Sequence, residues 1–149
     1  MRAVAQRVSE ARVVVENEVV GEIGRGLLVY LGAARGDTDA DLGYVLRKVR
    51  GLRVFPDDDG RMSRDVGEVD GGILVIPQFT LFGDMRRGRR PSFDGAEAPE
   101  IARERFHSFV GALRETEVRV ECGIFQADMQ VHGIVDGPVT ILIDSTKLF

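Results

Sequence analysis

The fold of this chain is best predicted from one stretch, Gly71-Gly72-Ile73-Leu74-Val75-Ile76-Pro77-Gln78-Phe79-Thr80-Leu81. The four apolar residues after the glycine pair predict a buried strand. Pro77 then ends the hydrogen-bonding ladder of that strand, because proline has no backbone N–H. Polar Gln78 and Thr80 follow among apolar neighbours, where freed backbone groups can bind a ligand. From this stretch alone, a plain strand edge with Thr80 as a β-former is the favoured interpretation.

The segments on either side predict a strand-rich α/β protein. The apolar run Leu27 to Leu31 is typical of a second buried strand. Two helices are predicted, one from about Thr38 to Gly51 and one from Pro99 to about Arg114, because apolar residues recur there at helical spacing. Further strands are predicted over Ala3 to Val8, Ala11 to Val15 and Val19 to Ile23. The tail alternates at Val118, Val120, Cys122 and Ile124, and Met129, Val131 and Val139 to Ile143 continue the strand character. Eight or more strands and two helices are expected in one domain over residues 1–149.

Composition indicates a soluble protein of the cytoplasm. The chain has 149 residues, of which 44% are apolar and 30% charged, and no apolar run approaches the length of a membrane span. The N-terminus lacks the features of a signal peptide. Cys122 is the sole cysteine, which fits a reducing compartment, and it is interpreted as a small buried hydrophobe. The net charge of −4 argues against indiscriminate nucleic-acid binding.

One local segment is nevertheless strongly basic. The arginine loop, Met85-Arg86-Arg87-Gly88-Arg89-Arg90-Pro91, places four arginines in five positions. On composition alone we favour a solvated loop, and the functional alternative is a phosphate contact, because the guanidinium fork matches phosphate oxygens.

The usual catalytic patterns are absent from the sequence. The two histidines, His107 and His132, lie in no metal-ligand or serine-elbow pattern, and no phosphate-binding glycine motif is present. The residues therefore do not indicate a triad hydrolase, a metalloenzyme or a nucleotide-phosphate enzyme, and neither a metal nor a cofactor is expected. Asp136-Gly137-Pro138 indicates a turn, with a trans Gly–Pro bond expected because only about 5–6% of X–Pro bonds in folded proteins are cis.

Six short motifs in order nevertheless resemble the D-aminoacyl-tRNA deacylase family. They are Gln6-Arg7-Val8, Gly21 to Val29, Gln78-Phe79-Thr80-Leu81, Arg90-Pro91-Ser92-Phe93, Gly123-x-Phe125-x-Ala127-Asp128-Met129, and Asp136-Gly137-Pro138-Val139-Thr140. The resemblance implies a layered α/β fold with barrel-like sheets and a homodimer with its site at the subunit interface. The implied reaction cleaves the ester between a D-amino acid, or glycine, and the 3′-terminal adenosine of tRNA.

The resemblance also assigns roles to individual residues. Gly137-Pro138 would be cis and would reach into the partner's pocket, where it leaves no room for an L side chain. Arg7 would brace that dipeptide. The remaining site residues would be Gln78, Phe79 and Thr80 against the adenosine and the ester, Phe125 and Met129 as pocket lining, and Arg86, Arg87, Arg89 and Arg90 on tRNA phosphates.

The resemblance also bears on the chemistry. Backbone N–H groups aimed at the developing oxyanion can supply much of the acceleration, since an aminoacyl ester is already activated. In the family the tRNA 2′-hydroxyl is thought to assist. Thr80 is interpreted as a positioning group rather than a nucleophile, because no partner base lies near it in sequence.

Two positions depart from the family pattern and leave two alternatives open. Pro77 replaces the usual serine before Gln-Phe-Thr, and Val135 replaces the usual asparagine before Asp-Gly-Pro. A proline at the first position is similar to a related animal branch with relaxed chiral selection. The alternatives are therefore a relaxed deacylase that acts on L-alanyl-tRNA, and a tRNA-binding dimer of the same fold without catalytic activity.

Overall fold

A computed structural model describes all residues 1–149 and contains eight strands and two α-helices. In chain order the elements are β1 Arg2–Val15, β2 Glu18–Ile23, β3 Gly26–Gly32, α1 Asp39–Arg50, β4 Phe55–Pro56, β5 Met62–Arg64, β6 Gly72–Pro77, a 3-10 turn Phe79–Phe82, α2 Pro99–Arg114, β7 Arg119–Cys122 and β8 Gln130–Asp144. No helix is long and apolar enough to cross a membrane.

The main sheet curls towards a barrel. Its strand order is β2-β1-β3-β6-β7, and β8 pairs with β1 outside that path. The β3–β6 and β6–β7 pairs are parallel, and the pairs made by β1 are antiparallel. Strands β2 and β7 end the path but approach each other, since a Cβ built on Gly21 would lie 3.1 Å from the Cys122 carbonyl oxygen. The expected strand-rich α/β fold with a barrel-like sheet is confirmed.

The continuous apolar runs of β3 and β6 have apolar partners on both faces. Leu27 and Val29 belong to a core cluster that also contains Val49 of α1 and Phe109 of α2. Leu28, between them in sequence, packs in a second cluster on the opposite face of the sheet. This two-sided burial explains why these strands lack the polar alternation of a half-exposed strand.

The helix boundaries follow the predicted signals. Thr38 caps α1, and its backbone N–H and its hydroxyl donate to the Asp41 carboxylate at 2.8 and 2.6 Å. These bonds hold the pKa of Asp41 below its ordinary value, the hydroxyl having the largest effect. Gly51 follows the last residue of α1, and Pro99 begins α2. Both helix predictions are confirmed.

Some strand predictions were wrong in extent. Residues 2–15 form one strand rather than two, because β8 supplies partners along most of its length through register shifts near Val8. The turn between β1 and β2 is at Glu16 and Asn17, both with positive φ. Thr80 is not a β-former, since the chain enters the 3-10 turn directly after Pro77 and Gln78.

Candidate functional site

A pocket of about 490 Å³ opens beyond the carboxyl ends of β3 and β6. Parallel strands place ligand sites at this end, because the chain leaves the sheet there. Leu31 and Pro77 end the paired part of the two strands, and both line the pocket. The other lining residues are Met1, Gly32, Ala33, Ile76, Gln78, Phe79, Glu97, Ala102, Phe106, Phe125, Gln126, Ala127, Met129 and Val131. The lining is mainly apolar with a few polar groups, as in small-molecule sites.

The segment after Pro77 forms one wall of the pocket. The Gln78 N–H still donates to the Leu31 carbonyl at 2.8 Å, and the chain then turns away as the 3-10 helix Phe79–Phe82. The first bond of that turn runs from the Leu81 N–H to the Gln78 carbonyl. The N–H groups of Phe79 and Thr80 therefore have no acceptor within the turn.

The side chains of this segment are ordered by their neighbours. Gln78 Nε2 donates to Thr80 Oγ1. Phe79 is 58% exposed and makes an edge-on contact with Phe93 at 5.1 Å between ring centroids. Of the three residues predicted here, Gln78 and Phe79 line the pocket, whereas Thr80 does not line it and accepts a hydrogen bond from Gln78.

A second wall comes from the loop between β7 and β8. Phe125 and Met129, both predicted as lining, lie in the pocket. The Gly123 N–H donates to the Val75 carbonyl at 2.9 Å and ties the start of this loop to β6. Gln126 has a φ of +63°, a left-handed conformation that is uncommon for a residue with a side chain.

The Gly137-Pro138 dipeptide lies outside the pocket of its own chain. It belongs to a bulge of β8: Gln6 pairs with Thr140 and Val8 with Val135, so four residues of β8 stand opposite the single Arg7. Both residues of the dipeptide are exposed. The Gly137–Pro138 bond is cis, so the trans bond expected from frequency was wrong and the bond has the form that the family resemblance implies.

Arg7 holds the base of this bulge. Its Nη1 donates to the Val54 carbonyl at 2.6 Å, and its Nε donates to the Asp136 carbonyl at 3.2 Å and lies 3.0 Å from Asp136 Oδ2. Gly137 has a φ of +123°, and a Cβ built there would lie 2.8 Å from Val139 Cγ2, 3.0 Å from Val139 N and 3.1 Å from Arg7 Nη2. The position therefore requires glycine, both for its backbone angle and for the space that Val139 and Arg7 occupy.

The N-terminal residue contributes to the pocket, a feature that the sequence does not signal. The Met1 side chain lines the cavity. Its ammonium is buried, 2.6 Å from Asp37 Oδ1 and 2.7 Å from Ser145 Oγ. Asp37 Oδ2 also accepts the Ala34 N–H at 2.6 Å. Sequence reasoning also missed Glu97, Phe106 and Gln126, because nothing in their local pattern marks them.

The arginine loop is exposed and lies apart from the pocket lining. Arg86 is paired: its Nη2 donates to Asp84 Oδ2 at 2.6 Å, and this contact lowers the pKa of Asp84 to about 2. Arg87, Arg89 and Arg90 make no hydrogen bond or ion pair within the chain. Three of the four guanidinium groups are therefore free to bind an external anion.

The histidines are both exposed and neither lines the pocket. No group of three or more His, Cys, Asp or Glu side chains is placed to hold a metal ion.

The fold and the pocket define a strand-rich α/β protein with a nearly closed sheet and a mainly apolar ligand site at the ends of its parallel strands. The family described as D-Tyr-tRNA(Tyr) deacylase matches residues 4–144, and the chain belongs to this family.

Relatives of full length support this assignment. The D-aminoacyl-tRNA deacylase of Desulfitobacterium hafniense (strain DSM 10664 / DCB-2) is 55% identical over 149 residues, which cover 100% of both chains. That of Thermotoga petrophila is 53% identical over the same coverage. Among solved structures, one titled "c-Myc DNA Unwinding Element Binding Protein" has a TM-score of 0.91 at 41% identity and covers 97% of this chain and 98% of its own. A probable eukaryotic D-amino acid tRNA deacylase has a TM-score of 0.79 at 21% identity, over 96% of this chain and 98% of its own, which is a likeness in fold alone.

Proposed function

We propose that this protein hydrolyses the ester of D-aminoacyl-tRNA, and of glycyl-tRNA, in the cytoplasm. The observation that carries the proposal is that Gln78 and Phe79, with Thr80 bonded to Gln78, line the pocket wall in a chain of the deacylase family. The apolar interior accepts the 3′-terminal adenosine, and the turn faces the ester. Water adds to the carbonyl carbon, the 3′ oxygen leaves with a proton, and the products are free amino acid and tRNA.

The main chain carries most of the proposed chemistry. The N–H groups of Phe79 and Thr80, unpaired within the turn, are donors for the oxyanion that develops on the ester. The Thr80 hydroxyl is held by Gln78, and no histidine lines the pocket, so Thr80 acts as a positioning group. The 2′-hydroxyl of the terminal adenosine, which lies next to the scissile ester, assists the transfer of the proton.

Chiral selection is assigned to Gly137-Pro138 of a partner subunit. The dipeptide belongs to the bulge of β8 and does not line the pocket of its own chain, so a second copy would have to bring it to the ester. Ile134 and Leu142 of the same strand are 57% and 55% exposed, and their burial would favour association of two copies. In the homodimer the dipeptide is a rigid wall that excludes an L side chain by steric clash.

The arginine loop is the proposed contact for tRNA. Its three unpaired guanidinium groups are exposed. A guanidinium group can donate two parallel hydrogen bonds to one phosphate, and tRNA offers many phosphates along its backbone. These contacts position the acceptor end without reading its sequence.

The test compares release of D-tyrosine and L-tyrosine from charged tRNA by purified protein. We expect release of the D form alone. Phe79→Ala should slow the release, while Phe149→Ala, a similarly exposed phenylalanine at the C-terminus, should not. A protein that binds tRNA but releases neither amino acid would be a binding module, and the proposal would fail.

A relaxed deacylase is the second candidate, favoured by the presence of Pro77 among the lining residues. It predicts release of L-alanine from tRNA charged with the wrong amino acid. A Pro77→Ser variant separates the two candidates, since it should suppress that activity if Pro77 causes it.

A further inference from the structure

Helix α2 carries an arginine that contacts the loop wall of the pocket. Ala102 and Phe106 of this helix line the cavity, and Arg103 lies beside them on an exposed part of the helix. The Arg103 guanidinium carbon lies 5.4 Å from the centroid of the Phe125 ring. Its Nη2 also donates to Gln126 Oε1. One side chain therefore contacts two consecutive lining residues.

The two residues that Arg103 contacts need support to keep their conformation. Gln126 has a φ of +63°, which L residues adopt mainly where the surroundings hold them. Phe125 is half-buried and touches Phe106 only at a tilted angle, with 6.2 Å between ring centroids. Within the loop, the Ala127 N–H to Ile124 carbonyl bond is long, at 3.3 Å. Together with the Phe106 contact, the two Arg103 contacts tie this turn to α2.

We propose that Arg103 is a positioning residue that holds Phe125 and Gln126 in place, so that the aromatic wall of the pocket is formed before substrate binds. The cation over the ring fixes the plane of Phe125, and the hydrogen bond fixes the left-handed turn at Gln126. Substrate then binds without the cost of ordering the wall. This role of Arg103 rests on the proposed deacylase function, because it is measured through the kinetics of that reaction.

A direct phosphate contact by Arg103 is the competing role, since its side chain is exposed. The contacts within the chain favour positioning, because the face of the guanidinium and one of its N–H groups are already in use. The two roles differ on a substrate without phosphate. A positioning residue matters equally for D-tyrosyl-tRNA and for D-tyrosyl-adenosine, whereas a phosphate ligand matters only for the tRNA.

The experiment measures kcat and KM for both substrates with wild type, Arg103→Met, Arg103→Lys and Gln126→Gly. For Arg103→Met we expect KM to rise about threefold to tenfold on both substrates, with kcat nearly unchanged. Arg103→Lys keeps a cation for the ring and should recover part of the loss. Gln126→Gly tolerates the backbone angle but lacks the acceptor, so its KM should rise as well.

Arg61→Met is the matched control, because Arg61 is exposed in the β4–β5 turn and its side chain makes no hydrogen bond or ion pair within the chain. It should behave as wild type. If KM of Arg103→Met rises on tRNA alone, or is unchanged on both substrates, or if kcat falls instead, the positioning role is wrong. If Arg103→Met does not fold, Arg103→Lys and Gln126→Gly decide by the same criteria. Wild type without activity on either substrate would refute the proposed function instead.

Discussion

Replacing Asp37 by asparagine should destabilise the protein strongly, because it removes the counter-charge of a buried ammonium. Asp37 is the carboxylate partner of the N-terminal ammonium, and the two side chains are 5% and 1% exposed. Asparagine keeps the shape but has one acceptor oxygen where the carboxylate has two, so its NH2 group must face either the ammonium or the Ala34 N–H. The substitution therefore removes the counter-charge and one acceptor, which leaves the ammonium buried without an anion.

The size of the effect follows from the partners that remain. Removing one member of a buried ion pair costs about 3–5 kcal/mol. The Ser145 hydroxyl still lies 2.7 Å from the ammonium and remains as a hydrogen-bond acceptor. We therefore expect a loss of unfolding free energy at the lower end of this range, about 3 kcal/mol. For a chain of this size, each kcal/mol lowers Tm by about 2–4 °C, so the melting temperature should fall by about 6–12 °C.

Thermal and urea unfolding of wild type and Asp37→Asn measure this loss directly. Asp39→Asn is the control, since Asp39 is fully exposed and lies 3.6 Å from Arg105, an arrangement that solvent screens. Because Met1 lines the pocket, the KM of Asp37→Asn should rise together with the loss of stability. An Asp37→Asn protein as stable as Asp39→Asn would refute the reasoning.

Three further predictions concern the cap, the bulge and the arginine loop. The pKa of Asp41 is lowered in the folded protein. The carboxylate therefore stabilises the fold above its ordinary pKa of 3.8, and this contribution is lost as the pH falls below that value. Acid unfolding followed by circular dichroism should depend less on pH in Asp41→Asn than in wild type. Gly137→Ala should disturb Arg7 and weaken discrimination between D- and L-tyrosyl-tRNA, and unchanged selectivity would contradict the proposed wall. Replacing the three unpaired arginines of the arginine loop by glutamine should lower the slope of log binding constant against log salt concentration for tRNA by about 2–3, while Arg86→Gln should change it less. An unchanged slope would mean that the loop is a solvated surface without tRNA contacts.

Much of the fold is encoded locally and could be predicted. The apolar runs of β3 and β6 and the helical spacing of α1 and α2 each specify an element without reference to the rest of the chain. The extent of β1 could not be predicted, because Ser9 and Glu10 interrupt its apolar pattern and the partner that holds them in the strand, β8, lies far away in sequence.

The site was harder to predict than the fold. Gln78, Phe79, Phe125 and Met129 were found only through the family resemblance, and the structure brings these four together. Met1 and Arg103 carry no local signal, because their importance comes from contacts with Asp37 and Phe125 that only tertiary folding creates. The cis Gly137–Pro138 bond contradicted the frequency-based expectation, since frequencies describe X–Pro bonds in general and not this bulge.

The double pairing of β1 has a mechanical consequence. One edge of its first half is bonded to β3, which carries the floor of the pocket, and the other edge is bonded to β8, which carries the bulge. A force on the bulge must pass through this strand to reach the pocket of the same chain. The pocket and the bulge of one chain are therefore mechanically coupled. In the proposed homodimer, a change in the gap between the pocket and the partner's bulge would come from the tilt of one subunit against the other.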